Sequence, residues 1–167
     1  MSRKSADETA QDMILSKALR AVRLHRRLRP SEVAAAMGLP IRTYEHFEAG
    51  SGRVSYERIA SFARATNSDP LAILASVPLR SPELAVRCAD NKLMTIAMAS
   101  LRDLELQLED ELEMLEARTL IGAFDRLVRD LVTHVRSRDV FAETWLQEKA
   151  ARVDGALIPE RLKPGKV

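Results

Sequence analysis

Residues 41–49 carry side chains that can make specific hydrogen bonds to a polar partner. The segment reads IRTYEHFEA, and its large apolar residues are confined to Ile41, Tyr44 and Phe47, spaced three apart. A helix with this spacing buries its apolar stripe and turns the remaining side chains outward. Those remaining side chains offer a guanidinium, a hydroxyl, a carboxylate and an imidazole, on Arg42, Thr43, Glu45 and His46. The segment therefore predicts a polar recognition surface on a short helix.

A second short helix precedes this one. Pro30 fits a first helical position, where its missing N–H costs nothing, and Gly38 is a typical helix stop. Residues 38–40 then form a tight turn into residues 41–49, which end at Gly50. A nine-residue helix is not stable alone in water, so it must dock on its neighbours. Two short helices joined by a glycine-bearing turn predict a helix-turn-helix, whose second helix fits the DNA major groove.

Three further helical patterns flank this pair. An apolar stripe with helical spacing begins at Asp12, and another covers residues 55–66 with Ser55 as a plausible N-cap. A last one follows Ser68 or Asp69 as cap and Pro70 in the first turn. The aromatic content is only 4%, and Leu, Ala, Glu and Arg dominate, which favours helix over sheet. We expect an all-α protein with five short helices in residues 12–76.

The charge is distributed unevenly along the chain. Residues 1–80 hold 13 Lys or Arg against 8 Asp or Glu, whereas residues 81–167 hold 13 against 16. The first half thus carries +5, which suits a polyanion such as DNA. Residues 103–116 carry seven carboxylates and no basic side chain, so this stretch should repel nucleic acid.

The segments LRAVRLHRRL, SEVAAAMGL, IRTYEHFEAG and SYERIASFARATNSDPLAIL together span residues 19–74. They resemble the Cro and phage-repressor-like helix-turn-helix family, of the xenobiotic-response-element (XRE) type, over about residues 16–76. The resemblance implies that Ala34 and Gly38 set the helix crossing and that Arg23 pairs with Glu48. It implies a core formed by Val33, Leu39, Tyr44, Phe47 and Ile59.

The resemblance also implies a set of DNA contacts. Arg42 could read guanine through two hydrogen bonds, and Ile41 could meet a thymine methyl. The loop at residues 51–53 matches a segment that often touches the phosphate backbone. Where the family often has Gln and a Ser or Thr cap, this chain has Pro30 and Pro40. Arg29 and Ser31 could compensate for these two prolines. The expected contact residues are Arg29, Ser31, Ile41, Arg42, Thr43, Glu45, His46, Ser51 and Arg53.

The C-terminal half has longer helical patterns. Two prolines in residues 77–82 predict a linker, followed by a helical domain at residues 83–153. We expect flexible tails at residues 1–11 and 154–167. The pattern predicts one helix over residues 81–101, a leucine-rich run over residues 104–135 interrupted only weakly by Gly122, and a short helix over residues 140–153.

The leucine-rich run has more apolar surface than one hairpin could bury, which predicts helical dimerisation. The alternative is a monomeric bundle packed on the DNA-binding domain. The expected dimerisation residues are Leu104, Leu108, Leu112, Leu115, Leu120, Phe124, Leu127 and Leu131.

Several classes of site have no signal in the sequence. The single Cys88 cannot form an intramolecular disulfide, and the chain has no apolar leader or membrane-length run, which suggests a cytoplasmic, nucleoid-associated protein. The acidic run in residues 103–116 fits a solvated helix face better than a metal site. No catalytic constellation, phosphate loop or zinc spacing is visible. We expect no enzyme activity, cofactor or metal.

The leading hypothesis is a homodimeric, sequence-specific regulator of transcription bound to a palindromic double-stranded operator. We expect a repressor, because a bound dimer excludes other proteins. The acidic helices could instead dock a protein partner, which would make an activator. A second hypothesis is a protein-interaction adaptor that keeps the fold but no longer binds DNA. A third is a small-molecule sensor with a pocket in its C-terminal helices.

Overall fold

The computed structural model describes the backbone of residues 6–51 and 54–157 and the side chains of residues 7–51, 54–137 and 144. Within these residues every regular element is a helix, so the all-α prediction is confirmed. The chain divides into two compact units, residues 1–109 and 110–167. The α-helices are α1 (Ala6–His25), α2 (Pro30–Ala36), α3 (Ile41–Glu48), α4 (Tyr56–Ala65), α5 (Pro70–Ala75), α6 (Glu83–Arg87), α7 (Leu93–Leu108) and α8 (Ala117–Leu157).

Helices α1 to α5 enclose one apolar core in the first unit. Its largest fully buried apolar side chains are Leu19, Val22, Val33, Tyr44, Phe47, Ile59, Phe62 and Ile73. Burying a side chain of this size contributes about 1.5–3 kcal/mol each. Leu39, expected in this core, is only half-buried. The core therefore stabilises four helices of ten residues or fewer, α2 to α5, which could not form alone.

Local signals place the ends of these short helices. Gly38 adopts φ +66° and closes α2, where Leu39 N–H donates to the Ala34 carbonyl at 2.9 Å. Ser55 caps α4 by accepting from the Arg58 N–H at 3.3 Å. Asp69 caps α5 by accepting from two backbone N–H groups. The turn, the Ser55 cap and the Asp69 cap are as the sequence predicts.

Helix α1 starts earlier than predicted. It begins at Ala6, so residues 6–11, expected in a flexible tail, are helical. Asp7 and Glu8 lie in its first turn, where carboxylates interact favourably with the helix dipole. Near Asp12, α1 passes close to Gly50 at the end of α3. A Cβ atom on Gly50 would lie 2.7 Å from the Asp12 carbonyl oxygen.

The expected linker at residues 77–82 lies inside the first unit. Residues 76–80 form turns directly after α5, and α6 then packs on α1 and α5. Ala85 of α6 is fully buried in the same core as α1 to α5. The boundary between the compact units falls at Glu109 and Asp110 instead, so the structural division and the sequence-based division differ.

The single helix predicted over residues 81–101 is interrupted at residues 88–92. Lys92 has φ +55° and ψ +33°, a left-handed conformation that ends the preceding segment before α7 begins. The sequence has no glycine or proline in this interval, so local propensity alone predicts continuity. Contacts from residues that are distant in sequence stabilise the interruption.

The leucine-rich run is also divided differently from the prediction. Residues Glu109–Met114 form a 3-10 helix, which breaks the run between α7 and α8. Helix α8 then continues through Gly122 for 41 residues and includes the separate helix predicted at residues 140–153. It also includes residues 154–157 of the expected C-terminal tail. None of the helices in the described part of the chain has the length and the continuous apolar content of a membrane span.

Candidate nucleic-acid interface

Helix α3 has one buried face and one exposed face. Tyr44 and Phe47 are 0% and 1% exposed, with Thr43 and Glu48 half-buried beside them. At 3.6 residues per turn, the exposed side chains cover an arc of roughly 140° opposite the buried face. These exposed side chains are Ile41, Arg42, Glu45 and His46. The stripe predicted from the sequence included Ile41, which is 41% exposed and lies with the polar residues.

Aromatic packing holds the buried face of α3. The Phe47 ring lies 6.3 Å from the Tyr44 ring and 6.0 Å from the Phe62 ring of α4, both in tilted orientations. Tilted pairs at this distance contribute about 0.5–1.5 kcal/mol beyond the area they bury. The back of α3 is therefore fixed against α4, which leaves its polar face available.

A buried ionic network attaches α3 to α1. Arg23 Nε donates to Glu48 Oε1 at 2.6 Å and Arg23 Nη2 donates to Glu48 Oε2 at 3.0 Å. Arg23 Nη1 also donates to the Leu28 carbonyl at 3.1 Å, beyond the end of α1. The predicted pairing of Arg23 with Glu48 is thus confirmed. Hydrogen bonding to Glu48 raises the pKa of the Arg23 guanidinium above its ordinary value, so the guanidinium stays charged.

Sequence reasoning missed a third member of this network. The Tyr44 hydroxyl donates to Glu48 Oε1 at 2.7 Å. Burial, and then the hydrogen bond to Glu48, raise the pKa of Tyr44 above its usual range. The apolar stripe predicts only a core role for Tyr44, although its spacing of four residues from Glu48 places both on one helix face.

The predicted base-reading side chains lie together on the exposed face. Arg42 and His46 are four residues apart, and Glu45 lies between them. Among the described residues, neither Arg42 nor Glu45 forms an ion pair, so the two side chains are not bridged to each other. Thr43 is half-buried and lies toward the edge of the face. The exposed guanidinium of Arg42 is therefore accessible to a ligand.

The predicted contact residues at the start of α2 are exposed but already partly engaged. Arg29 donates to Glu32 from its backbone N–H at 2.6 Å and from Nη2 at 3.0 Å. This interaction raises the pKa of Arg29 and lowers that of Glu32. Ser31 is exposed in the first turn of α2. Exposed pairs of this kind are weak, so a phosphate can compete with Glu32 for Arg29.

The loop after α3 contributes one described contact residue. Ser51 is exposed, and its N–H donates to the His46 carbonyl at 3.0 Å, which places it at the end of α3. Arg53, the other residue expected in this loop, lies outside the described residues.

Comparison with known families adds an independent observation. Residues 14–72 match the family model described as a helix-turn-helix domain. The chain carries a helix-turn-helix domain. The match covers α1 from residue 14 onward, all of α2 to α4 and the start of α5, and it confirms at this level the resemblance seen over residues 16–76. No curated protein and no solved structure was found to match the chain. The helix-turn-helix domain is typical of DNA-binding regulators. Helices α2 and α3 form its helix-turn-helix pair, of which α3 is the second helix.

The predicted dimerisation residues lie outside the helix-turn-helix domain and fall on three elements. Leu104 and Leu108 are half-buried on α7, and Leu112 is 38% exposed on the 3-10 helix. Leu115 and Leu120 are half-buried, on either side of the start of α8. The remaining three are about half exposed on α8: Phe124, Leu127 and Leu131.

Helix α8 has further exposed apolar residues beside the predicted dimerisation residues. Ile121, Val128 and Val132 are 63%, 58% and 41% exposed, and Val135 is 60% exposed. Together with the predicted residues of α8 they cover roughly 140° of the helix surface between residues 120 and 135. Their spacing from the predicted leucines by one or four residues was the available signal.

Proposed function

We propose that the protein is a sequence-specific, double-stranded DNA-binding regulator of transcription that acts as a homodimer. The observation that carries the proposal is the orientation of α3 in the helix-turn-helix domain. Its aromatic face is buried against the core, and its outward face presents Arg42, Glu45 and His46. Arg42 is proposed to read base edges, with Ile41 supplying an apolar contact.

The contacts to the phosphate backbone are proposed to come from residues flanking α3. Arg29 and Ser31 lie at the start of α2, Thr43 at the edge of α3 and Ser51 just after its end. Arg53 belongs to the same proposed set. Such contacts orient the protein on the duplex without reading its sequence.

The exposed apolar face of α8 supports the dimer. A helix with seven large apolar side chains between 41% and 63% exposed needs a partner surface. The charged residues of the same segment lie outside the apolar arc, among them Arg126, Arg129 and Asp130. An apolar arc of roughly 140° is wider than a two-stranded coiled-coil seam and fits bundle packing, in which two copies supply several helices. A dimer would place two recognition helices on a palindromic operator.

The regulatory outcome that this arrangement favours is repression. A compact dimer seated across an operator excludes other proteins from the same DNA, and this requires no further contact. Activation would require an additional contact with the transcription machinery.

Genome-wide immunoprecipitation of the wild-type protein and of Arg42→Ala, run side by side, tests the DNA-binding role. The wild type should enrich loci that share one palindromic motif, and Arg42→Ala should lose most of them. Equal occupancy of the same loci by both proteins would remove Arg42 from the reading face. Sedimentation at micromolar concentration tests the dimer separately, and a monomer mass would contradict it.

A further inference from the structure

Asp69 is buried between the starts of two helices and accepts hydrogen bonds from both. Its Oδ1 atom accepts from the N–H groups of Leu71 and Ala72, at 3.0 and 3.2 Å, in the first turn of α5. Its Oδ2 atom accepts from the N–H groups of Met94 and Thr95, at 2.9 and 3.1 Å, in the first turn of α7. The Thr95 hydroxyl adds a bond to Oδ1 at 2.7 Å. One fully buried carboxylate thus caps two helices.

Helix α7 has an incomplete cap of its own. The residue before it, Lys92, provides no side-chain cap. Asn91 Oδ1 accepts the Leu93 N–H, at 3.0 Å. The next two N–H groups of α7 are those bound by Asp69, 25 and 26 residues earlier in the chain. The start of α7 is therefore completed by a residue that belongs to the helix-turn-helix domain.

Two cationic side chains fix the adjacent turn to the same domain. Arg26 Nη2 donates to the Asn67 carbonyl and to Asp90 Oδ1, both at 2.7 Å. Lys92 Nζ donates to the Asn67 carbonyl at 2.8 Å and to the Ala89 carbonyl at 2.6 Å. Residues 88–92 are thereby bound to the end of α1 and to the turn before α5. Helix α7 leaves the helix-turn-helix domain in one defined direction.

We propose that Asp69 is a positioning residue that fixes the direction of α7 and so selects the half-site spacing that the dimer accepts. This inference rests on the proposed function, because α7 carries the proposed dimerisation residues Leu104 and Leu108. A dimer joined by flexible linkers can place its recognition helices at several separations. A dimer in which each α7 is held in a fixed direction on its helix-turn-helix domain binds half-sites only at the separation its geometry allows.

The substitution Asp69→Asn separates the two caps. The amide has the size of the carboxylate but only one acceptor oxygen, so it can cap α5 or α7 but not both. Thr95→Val is a milder variant that removes only the bond from the hydroxyl to Asp69, and Thr95→Ser restores that hydroxyl. Ser55→Ala is the matched control, because it removes a helix cap within the helix-turn-helix domain without touching α7.

The experiment selects binding sequences from a random duplex pool with each full-length variant, after circular dichroism has verified its helicity. The wild type should enrich one half-site motif at one dominant spacing. Asp69→Asn should enrich the same motif at several spacings and bind the wild-type site about ten-fold more weakly, because the second half-site is engaged at a lower effective concentration. Thr95→Val should change in the same direction, while Thr95→Ser and Ser55→Ala keep the single spacing.

A single unchanged spacing in Asp69→Asn would overturn the inference while leaving the proposed function intact. An altered half-site motif in Asp69→Asn would also overturn it, since the residue would then act on α3. If Asp69→Asn does not fold, the comparison of Thr95→Val with Thr95→Ser decides the question, and identical spacing in the two would overturn it. Failure of the wild type to enrich any paired motif would instead overturn the proposed function, and the inference with it.

Discussion

Arg23 of α1 and Glu48 of α3 form a two-point ion pair across 25 residues of sequence, with N–O distances of 2.6 and 3.0 Å. The side chains are only 9% and 14% exposed, so water screens the pair poorly. The guanidinium and carboxylate planes match in such pairs, which fixes orientation as well as distance. Glu48 ends α3, and this pair therefore sets where the second helix of the helix-turn-helix lies on α1.

Glu48→Gln should lower the free energy of unfolding by about 2 kcal/mol, because a charge-assisted bond is lost and Arg23 keeps its charge in a buried position. Urea denaturation followed by circular dichroism measures the change. Glu45→Gln is the control on the same helix. Its carboxylate is exposed, and its replacement should change stability by less than about 0.5 kcal/mol. Similar losses in the two variants would show that the ion pair contributes nothing specific.

Tyr44→Phe should reduce the free energy of unfolding at pH 7. It should also remove part of the loss of stability that the wild type shows at high pH. The loss at pH 7 should be about 1 kcal/mol, from the missing hydrogen bond to Glu48. The pKa of Tyr44 is raised in the folded protein. Above pH about 10 the unfolded chain therefore loses a proton that the folded chain keeps, and the wild type loses up to about 1.4 kcal/mol per pH unit from this group.

The stability difference between the wild type and Tyr44→Phe should accordingly shrink as the pH rises from 9 to 11. Denaturation midpoints measured at intervals across this range give the difference directly. A constant difference over the whole range would mean that Tyr44 ionises equally easily in both states, contrary to its buried position.

Arg42→Ala should weaken binding to the preferred DNA sequence by roughly ten- to a hundred-fold and should affect unrelated duplex much less. A bidentate contact with a base discriminates by about 1–3 kcal/mol, and this discrimination disappears with the guanidinium. Fluorescence anisotropy on matched and altered duplexes measures both affinities. Arg64→Ala removes the same charge from an exposed position on α4 and should leave the ratio of the two affinities unchanged. An equal loss on every sequence would assign Arg42 to a phosphate contact.

Leu131→Asp should shift the protein from dimer to monomer and weaken operator binding by at least about a hundred-fold. A carboxylate would replace a side chain that the proposed interface desolvates, and an unpaired buried charge is strongly unfavourable. Leu131 is 48% exposed in the single chain, so the fold itself should tolerate the change. Thr133→Asp introduces the same charge on the opposite face of α8 and should remain dimeric. Sedimentation velocity distinguishes the two, and a dimeric Leu131→Asp would place the interface elsewhere.

The sequence predicts the helix-turn-helix domain well because its signals are local. Pro30 and Gly38 mark helix ends through their backbone preferences, and Ser55 and Asp69 mark them through side-chain caps. The structure places each of the four at such an end. The interruption at residues 88–92 is not predictable in this way. It depends on Lys92 in a left-handed conformation and on Asp69, which is distant in sequence.

The candidate site was predictable to the same extent. Exposure of Arg42 and His46 follows from helical spacing once Tyr44 and Phe47 are assigned to the core. The hydroxyl bond of Tyr44 to Glu48 and the engagement of Arg29 by Glu32 depend on side-chain geometry that a pattern of residue types does not contain. The width of the apolar face on α8 required knowing that the helix continues through Gly122.

Gly50 determines how closely the end of α3 approaches α1. It adopts φ +71°, and a Cβ atom there would meet the Asp12 carbonyl at 2.7 Å. Relieving that overlap would require a displacement of roughly 0.8 Å, since carbon atoms normally stay about 3.5 Å from their neighbours. The absence of a side chain at Gly50 thus allows the end of α3 to lie directly against α1. The position of the helix that carries Arg42 therefore depends in part on Gly50, a residue with no side chain two positions beyond the end of that helix.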